Sequence, residues 1–225
     1  MKPRVPYKML SRPTPPFKLT KENAVLLLMD AQHFTTSRDQ GLGLVAAERG
    51  ITREFDEYYA QVDAAMRNMP RLLAACRRHG LRVMYTVLNA QQPDRSDLLR
   101  QLKVSGLPIP VGSPSADIRP EVAPATEDLV LPRGTYSPFA GTDLLSVLRE
   151  AQADTIVLAG MLANVSVAPT AREAADRDFG VVWVWDASAS ETLEWHEHTK
   201  TGIVGPLIRI RTTQQVIEML EGVRS

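Results

Sequence analysis

Ala24-Val25-Leu26-Leu27-Leu28-Met29 is a short apolar run closed by Asp30, and that combination constrains the fold more than any other feature of the chain. A run apolar at every position and ended by a polar turn is expected of a strand buried on both faces, as in parallel sheets covered by helices. The period then changes. Phe55, Tyr58, Tyr59, Val62, Ala65, Met66, Met69, Leu72, Leu73 and Cys76 recur at three- and four-residue spacing, which predicts a helix with one apolar face. Pro70 is expected to kink that helix or split it in two. His79-Gly80 ends it, and Leu81 to Leu88 reads as a second strand, so one βαβ unit is complete.

From Asn89 to Thr126 six prolines, with several glycines and serines, predict a long irregular excursion rather than a packed element. The alternation then resumes with a strand at Leu129 to Leu131, a helix from Thr142 to Ala151 and a buried strand from Thr155 to Ala159. A helix from Ser166 to Phe179 tolerates Pro169 in its first turn, and Gly180 ends it. Val181 to Trp185 is the next strand, followed by a turn at Asp186. Ile208 and Ile210 alternate with Arg209 and Arg211, which suits an edge strand. Thr212 and Gln215 form a capping box for a last helix packed through Val216, Met219 and Leu220. The expected fold class is α/β: a Rossmann-like, doubly wound, mostly parallel sheet of about six strands flanked by helices.

At 225 residues the chain suits one domain, placed at 24–225. Residues 1–23 hold five prolines and six basic residues, and read as an extended arm over the domain or a neighbouring subunit, or as a disordered tail. Lys plus Arg (26) balance Asp plus Glu (26), so no net field attracts nucleic acid or an acidic membrane. No apolar run approaches a membrane span. The single cysteine, Cys76, forms no intramolecular disulfide and no zinc set, and a cytoplasmic location is the default. The expected partners are a small-molecule substrate and copies of the chain itself.

Asp30 to Phe34, Arg133 to Phe139 and Gly160 to Val167, in that order along the chain, together resemble the isochorismatase-like cysteine hydrolases. Asp30-Ala31-Gln32-His33-Phe34 is similar to that family's Asp-x-Gln-x-x-Phe opening, with the Phe one residue early. Arg133-Gly134-Thr135-Tyr136-Ser137-Pro138-Phe139 with Gly141-Thr142 resembles its Lys-x-x-x-Ser-Ala-Phe segment. Gly160-Met161-Leu162-Ala163-Asn164-Val165-Ser166-Val167, with Thr170-Ala171-Arg172-Glu173-Ala174, resembles its Gly-Val-x-Thr-Asn-x-Cys-Val, Thr-Ala-x-x-Ala segment. The resemblance runs from about Ala24 to Leu220 and implies a homo-oligomer with a non-proline cis peptide near Met161-Leu162.

By the resemblance, the Asp, Lys and Cys of the family's amidases fall on Asp30, Arg133 and Ser166. A thiol is a few per cent thiolate at neutral pH, whereas a hydroxyl needs a base within reach. Arg133 cannot shuttle a proton, but can clamp a substrate carboxylate or stabilise an oxyanion. A guanidinium beside Asp30 is expected to hold it ionised. The resemblance also implies an alternative: the family's vinyl-ether hydrolases carry a small residue in place of the Cys and use the Asp in acid chemistry. A third reading is a binding protein in which Asp30 and Arg133 form a static ion pair.

Gln32, Phe34, Tyr136, Phe139, Leu162 and Asn164 are the candidate substrate-binding residues, with the amide nitrogens near Leu162 facing the reacting carbon. Singly, each candidate also has an ordinary role: Asp30 as a loop cap, Ser166 as a helix N-cap, Arg133 as a surface charge, Gln32 as a loop bond, the aromatics as core. Nicotinamidase-like members have an Asp-x-His metal segment after the second strand, where Asn89-Ala90-Gln91-Gln92-Pro93 stands here. No metal and no cofactor are expected. The expected activity is hydrolysis of a small amide-bearing or carboxylate-bearing metabolite.

Overall fold

The computed structural model describes residues 17–203 and 206–222, so most of the predicted N-terminal arm lies outside the described residues. Six strands form one sheet: β1 (Ala24–Met29), β2 (Arg82–Leu88), β3 (Leu129–Arg133), β4 (Thr155–Met161), β5 (Gly180–Ala189) and β6 (Ile208–Arg211). Their order is β3-β2-β1-β4-β5-β6 and every pair is parallel. The chain winds outward from β1 to one edge, returns to β4 and winds to the other. Open sheets of this kind bind ligands outside the carboxyl ends of the strands at that reversal, here between β1 and β4.

The helices are α1 (His33–Thr36), α2 (Gly41–Glu48), α3 (Asp56–Arg78), α4 (Arg100–Ser105), α5 (Leu144–Glu150), α6 (Ala168–Asp176), α7 (Leu193–Gly202) and α8 (Thr213–Leu220). Alternation along β1 sends Leu26 and Leu28 to one core with Val62, Met69 and Leu72 of α3 and Val216 of α8. Val25, Leu27 and Met29 enter the other core with Leu144 and Leu148 of α5 and Ala171 and Ala174 of α6. Phe17 packs against the first of these cores beneath the guanidinium of Arg209.

Three expectations need correction. Pro70 does not split α3, which continues as a single helix to Arg78; buried Met69, Leu72 and Leu73 hold both flanking turns in the core although Pro70 lacks an amide hydrogen. Asp186 is not a turn: β5 runs through it to Ala189, with a register irregularity opposite Leu158–Gly160. Its carboxylate instead accepts from Thr213 N (2.7 Å) and Oγ1 (2.8 Å) at the start of α8. The excursion after β2 is packed rather than loose. Leu98, Leu102 and Ile109 bury with Phe34, Leu88 and Ala90 in a third core over the carboxyl edge of the sheet. Arg119 N–H donates to the Ala31 carbonyl at 2.8 Å, His33 N–H to Asp117 at 3.0 Å, and Gln32 bridges Ile118. The segment is a cap on the end of β1.

The capping box of α8 is present, with Thr212 Oγ1 accepting from Gln215 N and Gln215 Oε1 accepting from Thr212 N. Thr212→Ala is expected to cost about 1 kcal/mol in urea unfolding. A cost below the error of that measurement would show that packing of Val216 alone holds the helix end.

Candidate active site

Asp30 follows β1 directly with φ 52°, a left-handed conformation that Asp enters more readily than most side chains. Such conformations persist where the surroundings over-determine them and cluster at functional sites. Here Asp30 N–H donates to Thr86 O at 2.9 Å, and the Thr35 hydroxyl donates to the Asp30 carbonyl. Arg133 ends β3, which β2 separates from β1. Its long side chain therefore crosses the end of β2 to reach the carboxylate. Arg133 Nη2 contacts Asp30 Oδ2, and Nη1 donates to the Thr135 carbonyl. Both side chains are shut off from solvent, at 0% and 2% exposed.

Ser166 lies in a π-helical turn, Ala163–Val167, between β4 and α6. It is therefore not the N-cap of a helix. The N–H groups of Val165, Ser166 and Val167 converge on the Leu162 carbonyl at 3.2, 2.9 and 3.2 Å. Those three amides are committed to the backbone, whereas the N–H groups of Leu162, Ala163 and Asn164, nearer the strand end, make no such bond. The Met161-Leu162 peptide is cis. Ser166 is buried, and its hydroxyl makes the weakest of the interactions that favour the charged form of Asp30.

Burial dominates the Asp30 carboxyl and pushes its pKa up to about 6. The Arg133 charge and hydrogen bond, then the Leu88 N–H and Ser166, act in the opposite direction and offset only part of it. The guanidinium is adjacent, as the motifs implied, yet it does not hold Asp30 in the ordinary range. One carboxylate oxygen is tied to Arg133, while Oδ1 is buried without a hydrogen-bond partner. Arg133 spends Nη1 on Thr135 and Nη2 on Asp30, while its Nε is buried without a partner.

The other candidates divide. Gln32 is wholly buried and spends its amide on backbone, donating to Leu88 O and Ala116 O and accepting from Leu88 N. It fastens the cap rather than facing a ligand. Phe139 packs in the second core beside Phe179, and Phe34 fills the third core; both are packing residues. Tyr136 is half-buried against that third core. Leu162 and Asn164 are partly exposed beside Ser166, and Asn164 Nδ2 donates to Glu191 Oε2 at 3.2 Å. Glu191 escaped the sequence reading, although it stands in the polar turn Ser190-Glu191-Thr192 just past β5, where the strand-end rule applies equally. His196 is also a packing residue, bonded to Trp185 O at 3.0 Å and set between Trp183 and Trp185.

A cavity of about 620 Å³ opens between α1, α3 and the cap, lined by Arg38, Arg67 and Arg119 alternating with Asp39, Asp63 and Glu121. It excludes Asp30, Arg133 and Ser166, and its matched charges give it no net sign. Among the described residues, no three His, Cys, Asp or Glu side chains come together as metal ligands. No helix among them is long and apolar enough to cross a membrane.

The profile of the isochorismatase domain matches residues 25–215. A Bacillus subtilis protein named isochorismatase is 31% identical over 155 residues, which is 68% of this chain and 49% of that protein. Phenazine biosynthesis protein PhzD1 of Pseudomonas aeruginosa is 28% identical over 153 residues, covering 67% of this chain and 72% of its own length. The chain thus spans about half the length of the first relative. Among solved structures, a cysteine hydrolase from Pseudomonas syringae superposes with a TM-score of 0.77 over 96% of this chain and 100% of its own, at 21% identity, a likeness of fold. With the domain profile spanning nearly all of the sheet, this chain belongs to the isochorismatase family.

Proposed function

We propose that the chain is a hydrolase that cleaves a vinyl ether in a small metabolite, with Asp30 as its proton donor. The observation that carries this reading is the Asp30 carboxyl, buried, with one oxygen free and a pKa pushed up to about 6. A carboxyl so placed donates a proton near neutral pH, as general acids tuned by burial do. In the reaction, protonated Asp30 gives its proton to the terminal carbon of the enol ether, and positive charge develops at the ether carbon. Water adds there and returns a proton to Asp30. The resulting hemiketal collapses, its hydroxyl proton passing to the ether oxygen as the C–O bond breaks, to give a ketone and an alcohol.

The route needs only an acid and water. A serine-nucleophile route to amide cleavage instead asks the Asp30 carboxylate to take the Ser166 proton as general base, a role that its raised pKa also allows, so the choice between the routes falls to the product formed. The relative named isochorismatase, which matches about two thirds of this chain, supports the ether reading, because isochorismate is an enol ether. Arg133 keeps the Asp30 pKa from rising further.

The test is product formation, read by mass spectrometry, from a panel of vinyl ethers, amides and ureides with the natural chain and Asp30→Asn. Asp30-dependent ether cleavage is the expected result. Amide products would replace ether chemistry by a serine or water attack on a carbonyl. Failure on every member favours a binding protein, a reading supported by the mutual engagement of Asp30 and Arg133 in a closed site.

The pH dependence follows from the same carboxyl. Turnover that needs the protonated form is expected to fall as pH rises through about 6. Arg133→Met removes the largest influence that lowers the Asp30 pKa, so the midpoint is expected to move upward. A profile flat from pH 5 to 8, or an unmoved midpoint, would rule out Asp30 as the acid.

A further inference from the structure

Eight buried polar side-chain atoms lack a hydrogen-bond partner among the described residues, and they are not scattered evenly. Five belong to the carboxyl ends of neighbouring strands or the turns just beyond them: Asp30 Oδ1, Thr86 Oγ1, Asn89 Oδ1, Arg133 Nε and Asn164 Oδ1. Four of the five are oxygens. Buried polar groups are nearly always satisfied, so a concentration of unpartnered polar atoms marks a place where a ligand supplies the partners.

Exposure shows the direction from which that ligand comes. Asp30, Arg133 and Ser166 are buried, Leu162, Asn164 and Tyr136 are partly exposed, and Glu191 is exposed. Glu191 is bound into the same group, because it accepts from Asn164 Nδ2 and thereby leaves Asn164 Oδ1 free. Burial chiefly raises the pKa of the Tyr58 and Tyr136 phenols, and the Glu191 charge raises both further; Asp30 adds to Tyr58. The Glu191 charge thus reaches Tyr136 and also Tyr58, which the Asp30 charge reaches too. The Glu191 backbone is held firmly, since the preceding Ser190 exchanges bonds with the Gln61 amide in both directions.

We propose that Glu191, acting with Asn164, is a specificity-determining residue that selects ligands presenting an amine or hydroxyl donor at the mouth of the site and rejects those presenting a carboxylate there. The geometry sets the exposed Glu191 carboxylate against Asn164 Nδ2, with the buried Asn164 Oδ1 left as a free acceptor behind it. The inference rests on the Asp30 site being the ligand site, but not on which bond is cleaved there.

The experiment measures binding, so it stands apart from turnover. Cyclohexylamine, cyclohexanol and cyclohexanecarboxylate share a ring and differ in the group under test. Their affinities are compared by ligand-observed NMR for the natural chain, Glu191→Gln and Glu191→Lys, with Asp30→Asn assayed for turnover in parallel. The expected result is an order of amine, then alcohol, then carboxylate, with Glu191→Gln weakening the amine about fivefold, as fits one charge at an exposed rim. Glu191→Lys is expected to reverse the order. Equal binding of the three, no binding of any, or an order unchanged in both variants would overturn the proposal. Loss of the selectivity without any Asp30-dependent turnover would leave it standing while removing the hydrolase reading.

Discussion

Asp30→Asn is expected to abolish turnover and, at neutral pH, to stabilise the fold. Its carboxyl is raised from the ordinary 3.8 to about 6 by burial, which corresponds to about 3 kcal/mol. The sign follows from the proton count. A carboxyl with a raised folded pKa binds more protons folded than unfolded between those two values, so its contribution is full below about pH 4 and is lost as pH rises through about 6. The amide removes that loss. Relative to the natural chain, Asp30→Asn should gain up to about 3 kcal/mol between pH 4 and pH 7. Urea unfolding of both chains across that range measures the difference. A loss of about 3 kcal/mol or more at pH 7 is what stranding the buried Arg133 charge would give, and it would mean that the ion pair, not desolvation, sets the Asp30 pKa. Stability gained as activity disappears is a signature of a site that is held in an unfavourable state for function.

Gly160→Ala is expected to be the most damaging single methyl in the protein. Gly160 faces Met29 in the register of β1 and β4 and has φ +143°, a conformation closed to other residues. A Cβ would lie 2.1 Å from the Met29 carbonyl oxygen, a backbone atom that cannot step aside. Separation of β1 from β4 would disturb the sheet at the switch point, one residue from Asp30. A cost of about 4 kcal/mol or more is expected, with loss of soluble protein as the visible outcome. Wild-type solubility and an unfolding midpoint within about 2 °C of the natural chain would show that the two strands can part without cost.

Much of the fold was legible because local pattern and tertiary demand agree. The runs at Ala24 and Thr155 form strands buried on both faces, and the spacing from Phe55 to Cys76 marks the buried side of α3. Asp30 and Arg133 meet as the motifs implied, with Ser166 close by. What the sequence did not reveal depended on distant partners. Asp186 looks like a turn residue until Thr213 occupies its carboxylate. The proline-rich excursion has no period of its own and acquires a core only from Phe34 and Leu88. α1 is only four residues long, and α2 is apolar on nearly every side, so neither shows the one-sided pattern that announces a helix. Most consequential was the Asp30 pKa, because an arginine neighbour predicts one direction and burial the other, and only the closed geometry settles which is larger.

The cap over β1 also bears on how the molecule is assembled in time. Gln32 reaches 56 residues along the chain to Leu88 and 84 to Ala116, and Asp30 reaches 103 to Arg133. Each link closes a long loop, and long-range closure is what slows a folding chain. Up to the closure of the last link, the Asp30 carboxyl stays hydrated and has its ordinary affinity for protons. Its acidity is thus a product of completed folding, and a ribosome-bound chain that has emerged only as far as β2 carries the aspartate but not yet the acid.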